Sequence, residues 1–345
     1  MNVTTVGIDL AKNVFSVHGV DAHGKVVLKK TVSRGTLLES FATLPPCLVG
    51  MEACTGAHHW ARRLRELGHD ARIIAPRFVI PYRKNGKNDG NDAEAICEAV
   101  GRPAMRFVPV KSSEQQAILC LHRIRQELVS ERTAQINQIR GLMAEFGLVM
   151  PKGRYPAQHH IPDLLEDADN GLPGLARRLL HDVWQRILQL NRQILAYDRE
   201  IESLARQSQK AQSLMKIPGI GSITATALIA SIGDPNQFKN GRQMAAWLGL
   251  VPRQYSTGGK TRLGRITKQG NKYLRTLLIH GTRAVLAALR DKQDRSSRWL
   301  RELVARRGYK RAAVALAAKN ARIVWAVLTK GEDYRPQLAS QTATT

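Results

Sequence analysis

Over the first 75 residues the apolar positions fall into short, β-branched runs separated by polar turns. Residues 3–9, 14–20 and 26–32 are three such runs, and Asp21-Ala22-His23-Gly24 between the last two is hairpin-turn chemistry. Residues 47–51 and 71–75 form two more, the second closed by Pro76. Helical spacing intervenes near 35–43, over 57–67 and over 91–100, where Asn91 or Asp89 is a candidate N-cap. The order β-β-β-α-β-α-β-α predicts an α/β domain with a mixed sheet.

Past Ser112 the pattern lengthens. Ile118, Leu121, Ile124, Leu128, Ile136, Ile139 and Leu142 recur at three- and four-residue steps and predict a helix to about 146. Leu179, Val183, Ile187, Leu190 and Ile194 predict a second, over about 175–206. Between them, 150–173 holds Pro151, Pro156, Pro162, Pro173 and four acids, and is expected to be a linker or hairpin loop. The two helices suit either an antiparallel pair or a coiled-coil dimer arm. From Leu214 the chain is helical and rich in small residues, with helices expected near 271–290, 296–307 and 310–329. The division read from these patterns is 1–110, 111–210, 211–335 and a polar, disordered tail at 336–345.

Charge changes the picture by its placement. The net charge is +25, yet residues 1–110 carry 15 Lys/Arg against 10 Asp/Glu and residues 111–210 carry 14 against 12. Residues 211–345 carry 24 against 6, so a polyanion should bind there. A membrane surface is disfavoured: no run of about 18 apolar residues exists, and the basic segments lack an aromatic-rich apolar face. The absence of a signal segment and of any C-x-x-C pair among Cys47, Cys54, Cys97 and Cys120 predicts a reduced, cytoplasmic setting with buried thiols.

Four carboxylates carry the candidate chemistry. Asp9 and Glu52 each end an apolar run, and Asp89 and Asp92 sit three apart at a helix start, on one helical face. Such oxygen ligands suit Mg²⁺. A second set lies in the basic C-terminal part. Gly219 and Gly221 in Ile217-Pro218-Gly219-Ile220-Gly221 resemble the turn of a helix-hairpin-helix element, where close backbone approach and free helix N–H groups meet a phosphate. From Arg253 to Arg275 there are seven cations and no acid: Arg253, Lys260, Arg262, Arg265, Lys268, Lys272 and Arg275. Ser256 sits among them beside Thr257-Gly258-Gly259, as a phosphate ligand or as a nucleophile. His58-His59 shows no zinc-site spacing. Tyr255, Trp247, Trp299 and Trp325 are expected to be packing anchors.

These motifs together resemble the DEDD insertion-sequence transposases. The resemblance rests on Gly7-Ile8-Asp9-Leu10-Ala11-Lys12, Met51-Glu52-Ala53-Cys54-Thr55-Gly56 and Asp89-x-x-Asp92. It continues through Ile217-Pro218-Gly219-Ile220-Gly221 and Gly249-Leu250-Val251-Pro252 to Ser256-Thr257-Gly258-Gly259 and the segment 264–275. It implies an α/β plus α architecture: a RuvC-like, ribonuclease-H-type domain, a coiled-coil arm, and a helical basic transposase domain with a helix-hairpin-helix element. It further implies an RNA-guided recombinase of bacterial, nucleoid-associated character, in which a bridge RNA pairs with donor and target DNA. In that family pattern Asp9, Glu52, Asp89 and Asp92 bind Mg²⁺. Ser256, in the subgroup with a Ser-Ser/Thr-Gly-Gly loop, attacks DNA to form a phosphoserine, within a composite site of a dimer or tetramer. The competing reading of the same residues is a metal-dependent, structure-specific endonuclease of the Holliday-junction type; a third is a nucleic-acid-binding protein without activity.

Overall fold

The computed structural model describes residues 2–84, 88–290 and 292–335; the tail expected at 336–345 lies outside the described residues. The chain divides into two units, Met1–Gln116 with Ile232–Gln237, and Ala117–Ser231 with Phe238–Thr345.

In the first unit β1 (Thr5–Leu10), β2 (Val14–Val20) and β3 (Val26–Ser33) form an antiparallel meander. Its expected turn is present: the Asp21 carboxylate accepts from the N–H groups of His23 and Lys25 at 2.9 and 3.0 Å, and Gly24 takes φ 78°. Then come α1 (Leu37–Ala42), β4 (Leu48–Glu52), α2 (Ala57–Glu66), β5 (Asp70–Ile74), the short α3 (Pro76–Val79), α4 (Asp89–Val100) and β6 (Phe107–Val108). The sheet order is β3-β2-β1-β4-β5-β6, with β4 parallel to both β1 and β5. This is the mixed sheet expected; the two-residue β6 is an addition that the sequence pattern did not reveal. Asn88, not Asn91 or Asp89, caps α4, accepting from the Gly90 N–H at 2.9 Å. Its extended backbone lets the side chain reach forward, which leaves Asp89 as the first helical residue.

Helices cover both faces of the sheet. Ala57, Trp60, Ala61 and Leu64 of α2 share one core with Val6, Ile8, Val49 and Met51. On the other face α4 lies almost in backbone contact with the strands, because Gly7 and Gly50 are partners across the β1–β4 pair. A Cβ on Gly7 would stand 2.2 Å from the Ala93 carbonyl oxygen and 2.4 Å from the Cys97 nitrogen; one on Gly50 would stand 2.7 Å from Val100 Cβ.

In the second unit α5 (Ser113–Ala144, its first turn belonging to the first unit) and α7 (Gly174–Gln207) run antiparallel. Arg125 pairs with Asp198 and Arg186 with Glu131, both at 2.5 Å, and Arg132 donates to Asn191 at 3.0 Å. Ile136, Ile139, Ile187, Leu190 and Ile194 are buried as expected, whereas Ile124, Leu142 and Leu179 are exposed. The expected loop at 150–173 is a correction: it contains α6 (Arg154–Glu166). Pro156 falls in its first turn, where the backbone N–H has no helical partner to lose. Ala157, Ile161 and Leu165, at four-residue steps, bury against Met143, Leu180 and Trp184 and outweigh the interior Pro162.

The remainder comprises α8 (Gln209–Met215), α9 (Ser222–Ile232), α10 (Gly241–Trp247), a hairpin of β7 (Pro252–Gln254) and β8 (Leu263–Ile266), α11 (Lys272–Ala287), α12 (Arg295–Arg307) and α13 (Tyr309–Lys330). By length and composition α13 is apolar enough to cross a membrane, but its Ala312, Ala313, Leu316, Ala317, Ala321 and Val324 are buried, and it packs on α10, α11 and α12. Buried His122 of α5 ties α9 to α11. Thr226 donates to the Ser222 carbonyl, so His122 Nε2–H donates to Thr226 Oγ1 and the Tyr273 hydroxyl donates to Nδ1, both at 3.0 Å. Burial pushes the His122 pKa down to about 4. Cys47 and Cys97 are buried free thiols; Cys54 and Cys120 are exposed, contrary to expectation, the first in the loop between β4 and α2 and the second on an exposed position of α5.

The glycine contacts make a prediction. Gly7→Ala should destabilise the protein by about 3 kcal/mol or more, because the clash is with backbone that has no rotamer to yield. A urea denaturation midpoint equal to wild type would contradict the close approach of α4.

Candidate functional site

Asp9 and Glu52 lie one residue past Ile8 and Met51, the last positions at which β1 and β4 pair with each other. They share the strand phase of Gly7 and Gly50 and so belong to the face that α4 covers. Asp89 and Asp92 enter that neighbourhood from the first turn of α4. The four carboxylates form one electrostatic field around Asp9. Burial, then the charges of Asp92, Asp89 and Glu52, push the Asp9 pKa up to about 6.

A cation already sits in this field. Arg83 donates through Nη2 to Glu52 Oε2 at 2.9 Å and pairs through Nε with Asp92 Oδ1 at 3.0 Å. Its neighbour Lys84 is turned aside, paired with Glu94 at 2.6 Å. Sequence reasoning missed Arg83, since an Arg-Lys pair in a charged loop carries no periodic signal. Among the described residues no three His, Cys, Asp or Glu side chains stand close enough to hold a metal ion together. The donor set nevertheless fits a hard divalent cation: it is all carboxylate, three of its members raise the proton affinity of Asp9, and a single guanidinium offsets two of them.

The second candidate site is in the other unit. Pro218-Gly219-Ile220-Gly221 joins α8 to α9. Asn320 of α13 donates to the Pro218 carbonyl at 2.8 Å. Gly219, at φ 86°, lies against Gly281 of α11, where a Cβ on Gly281 would stand 1.8 Å from the Gly219 oxygen. Gly219 is thus committed to packing, whereas Gly221 is open, with nothing within 4 Å of where a Cβ would be.

The basic, glycine-containing segment around Ser256 folds as the β-hairpin of β7 and β8. Gly258 and Gly259, at φ 55° and 75°, make the two-residue turn, and the Lys260 N–H donates to the Thr257 carbonyl at 3.1 Å. Ser256 stands exposed beside this tip, its Oγ accepting from Gln254 Nε2 at 2.9 Å. That bond leaves the hydroxyl proton free to be taken. Arg253, Lys260, Arg262, Arg265, Lys268 and Lys272 are all exposed. Arg275 is a correction: it is 9% exposed and its guanidinium donates to the carbonyls of Leu248 and Gln269, both at 3.1 Å. It braces the hairpin base, since its position one turn into α11 faces inward. Tyr255, expected to pack, is 63% exposed on the same hairpin.

Comparison with known proteins adds an independent line. The sequence profile described as "Transposase IS116/IS110/IS902 family" matches residues 211–298, and an IS110-type DEDD profile, described as "Transposase", matches residues 6–147. The chain is 51% identical, over 97% of its length and the whole of the relative, to a "Probable family 20 transposase" of Pseudomonas aeruginosa. It is 44% identical to the transposase for insertion sequence element IS1111A of Coxiella burnetii, covering 97% of this chain and 92% of the relative. It is 42% identical to the transposase for insertion sequence element IS1328 of Yersinia enterocolitica, covering 96% and 98%.

Two predictions follow from the carboxylate field. The folded-state pKa of Asp9 lies above its unfolded value, so its contribution to stability is full below about pH 4 and is lost as pH rises through about 6. Asp9→Asn should therefore be more stable than wild type above pH 6, by on the order of 1–2 kcal/mol after discounting for solvent screening; thermal melts from pH 4 to 8 in a chelating buffer read this, and parallel curves would refute it. Arg83→Gln removes two partly exposed ion pairs worth about 0.2–1 kcal/mol each, so Mn²⁺ should bind roughly two- to thirtyfold more tightly. Weaker or unchanged binding in a calorimetric titration would show that Arg83 does not compete for the carboxylates.

Proposed function

The chain belongs to the IS116/IS110/IS902 family of transposases and is itself a DNA transposase; from that premise we propose that it moves its insertion sequence by serine recombination under RNA guidance. The observation that carries the reading is that one guanidinium, Arg83, bridges Glu52 and Asp92, and that these two and Asp89 share the electrostatic field of Asp9. In this reading Asp9, Glu52, Asp89 and Asp92 hold Mg²⁺, which when bound supplies charge neutralisation at a scissile phosphate.

The remaining work belongs to side chains of the chain itself. Ser256 is the nucleophile: its Oγ forms a bond to phosphorus, one strand oxygen leaves as a hydroxyl, and the serine proton passes to a base. The number of phosphodiester bonds is conserved, so a strand hydroxyl can later attack the phosphoserine and reseal DNA without an external energy source. Gln254 orients the serine hydroxyl without removing its proton. Arg253, Lys260, Arg262, Arg265, Lys268 and Lys272 hold backbone phosphates, since each is exposed and no acid lies among them. Gly221, at the entry to α9, offers an open backbone to another phosphate.

The reading assigns the metal chemistry to 1–110, the serine chemistry to 211–335 and assembly to the arm at 111–210. It takes a bridge RNA as guide and a dimer or tetramer as the working form, as the family resemblance implies, with the groups that activate Ser256 supplied by another protomer. The exposed cations suit RNA and DNA alike.

The test uses end-labelled element-junction DNA, RNA from the element's flanks and Mg²⁺, resolved on a denaturing gel. Wild type should give a labelled protein–DNA adduct, Ser256→Ala none, and Asp9→Ala neither adduct nor cleavage while retaining binding. Cleavage by Ser256→Ala at the wild-type rate would replace recombination with the metal-dependent endonuclease reading.

A further inference from the structure

The helical arm holds a concentration of positive charge that the transposition reading leaves unused. Arg132 and Arg140 of α5 and Arg154 of α6 line one open cleft of about 130 Å³, with Thr133, Asn137 and Gly153. Arg132 is 9% exposed; one terminal nitrogen donates to Asn191, but its Nε is buried without a partner. Arg140 donates to Asn137 Oδ1 and to the Gly153 carbonyl at 3.0 and 3.1 Å, and its Nε is likewise buried and unpartnered. Among the described residues no acid pairs with any of the three. The acids that could do so are engaged elsewhere, Asp198 with Arg125 and Glu131 with Arg186.

The start of α6 adds to the same field. Its cap, Gly153 at φ 115°, provides no side-chain acceptor, and its first turn holds no acid. The first residue is Arg154, a cation where the helix dipole favours an anion. Burial and the neighbouring charges of Arg154 and Arg125 work against the ionised form of Arg132, and Asp198 offsets them only in part. An uncompensated buried charge costs several kcal/mol. A helix N-terminus, three guanidiniums and two unpartnered buried Nε–H groups are together the donor set of an oxyanion site.

We propose that this cleft binds phosphate, and that the phosphate it takes is one from the backbone of unpaired nucleic acid. The second half rests on the nucleic-acid reading given above. The cleft is too shallow in apolar lining to hold a whole nucleotide, Ile136 being the one large apolar side chain in it. Tyr155, next along α6, is 71% exposed and meets His159 edge-on at 4.6 Å between ring centroids. That pair offers a face for an unstacked base beside the cation that would hold its phosphate.

The full-length protein tests this with two variants. Arg154→Gln removes an exposed cation and should fold normally; Arg132→Met keeps volume while removing the buried charge. Millimolar inorganic phosphate should raise the wild-type melting temperature above that in chloride of equal ionic strength, and both variants should lose that shift. Without phosphate, Arg132→Met should melt at or above wild type. A labelled 20-nucleotide single-stranded RNA should bind Arg154→Gln about three- to tenfold more weakly, with a slope of log K against log salt shallower by about 0.7. Absence of a phosphate-specific shift in wild type, or its survival in both variants, overturns the site. Loss of the shift with unchanged RNA affinity and slope overturns the nucleic-acid assignment and leaves a free oxyanion as the ligand. If wild type binds neither the RNA nor the DNA of the same sequence, the nucleic-acid reading fails, and the phosphate melts still judge the cleft.

Discussion

The near-contact of a helix backbone with two strands is the constraint on which the carboxylate site depends. Gly7 and Gly50 are partners across β1 and β4, and the absence of a Cβ at both lets α4 settle on the sheet. Asp9 and Glu52 follow two residues later on the same strand face, and Asp89 and Asp92 open the helix. A methyl at Gly7 would meet the backbone of Ala93 and Cys97, and one at Gly50 would meet Val100, so either would push α4 off the strands. Site geometry in this unit is thus set by what is missing from two positions rather than by any bond among the carboxylates, which repel one another.

The second unit uses the same device for a different purpose. Gly219 meets Gly281 with no room for a side chain, so the hairpin between α8 and α9 is fixed to α11. Gly249 and Gly270, both at positive φ, let the two ends of the β-hairpin cross, and buried Arg275 ties them through two carbonyls. The consequence is a rigid base carrying a tip that is wholly exposed, with Ser256 beside the turn and six cations around it. A rigid platform under an exposed loop limits the ordering cost when a polyanion arrives.

Both units also carry charge that the fold does not neutralise. Among the described residues the field around Asp9 is negative and met by Arg83, whereas the hairpin tip and the cleft at the start of α6 are positive and meet no acid. Each lowers the stability of the isolated chain and each becomes favourable once a counter-charge is supplied. In the proposed reading a metal ion answers the first and phosphate the others, which is the division of labour expected of a nucleic-acid enzyme.

Much of this was legible in the sequence. Short β-branched runs between polar turns over residues 3–75 set out the strands, and the three- and four-residue stripes set out both long helices, because burial of one face leaves a periodic trace on a helix whatever the partner. The carboxylates and the basic serine segment were found as residue types in sequence order. Tertiary structure decided the rest. Whether the long helices pair within the chain depended on charges across them, such as Arg125 with Asp198, that periodicity cannot register. The helix at Arg154–Glu166 was hidden by its prolines until burial against Trp184 and Leu180 outweighed them. Arg83 and Arg275 exchanged the roles their neighbourhoods suggest, one entering the acidic field and the other leaving the basic surface. A long side chain's partner is chosen by through-space distance, which local sequence does not encode, whereas the face it must bury is set by the periodicity of its own backbone.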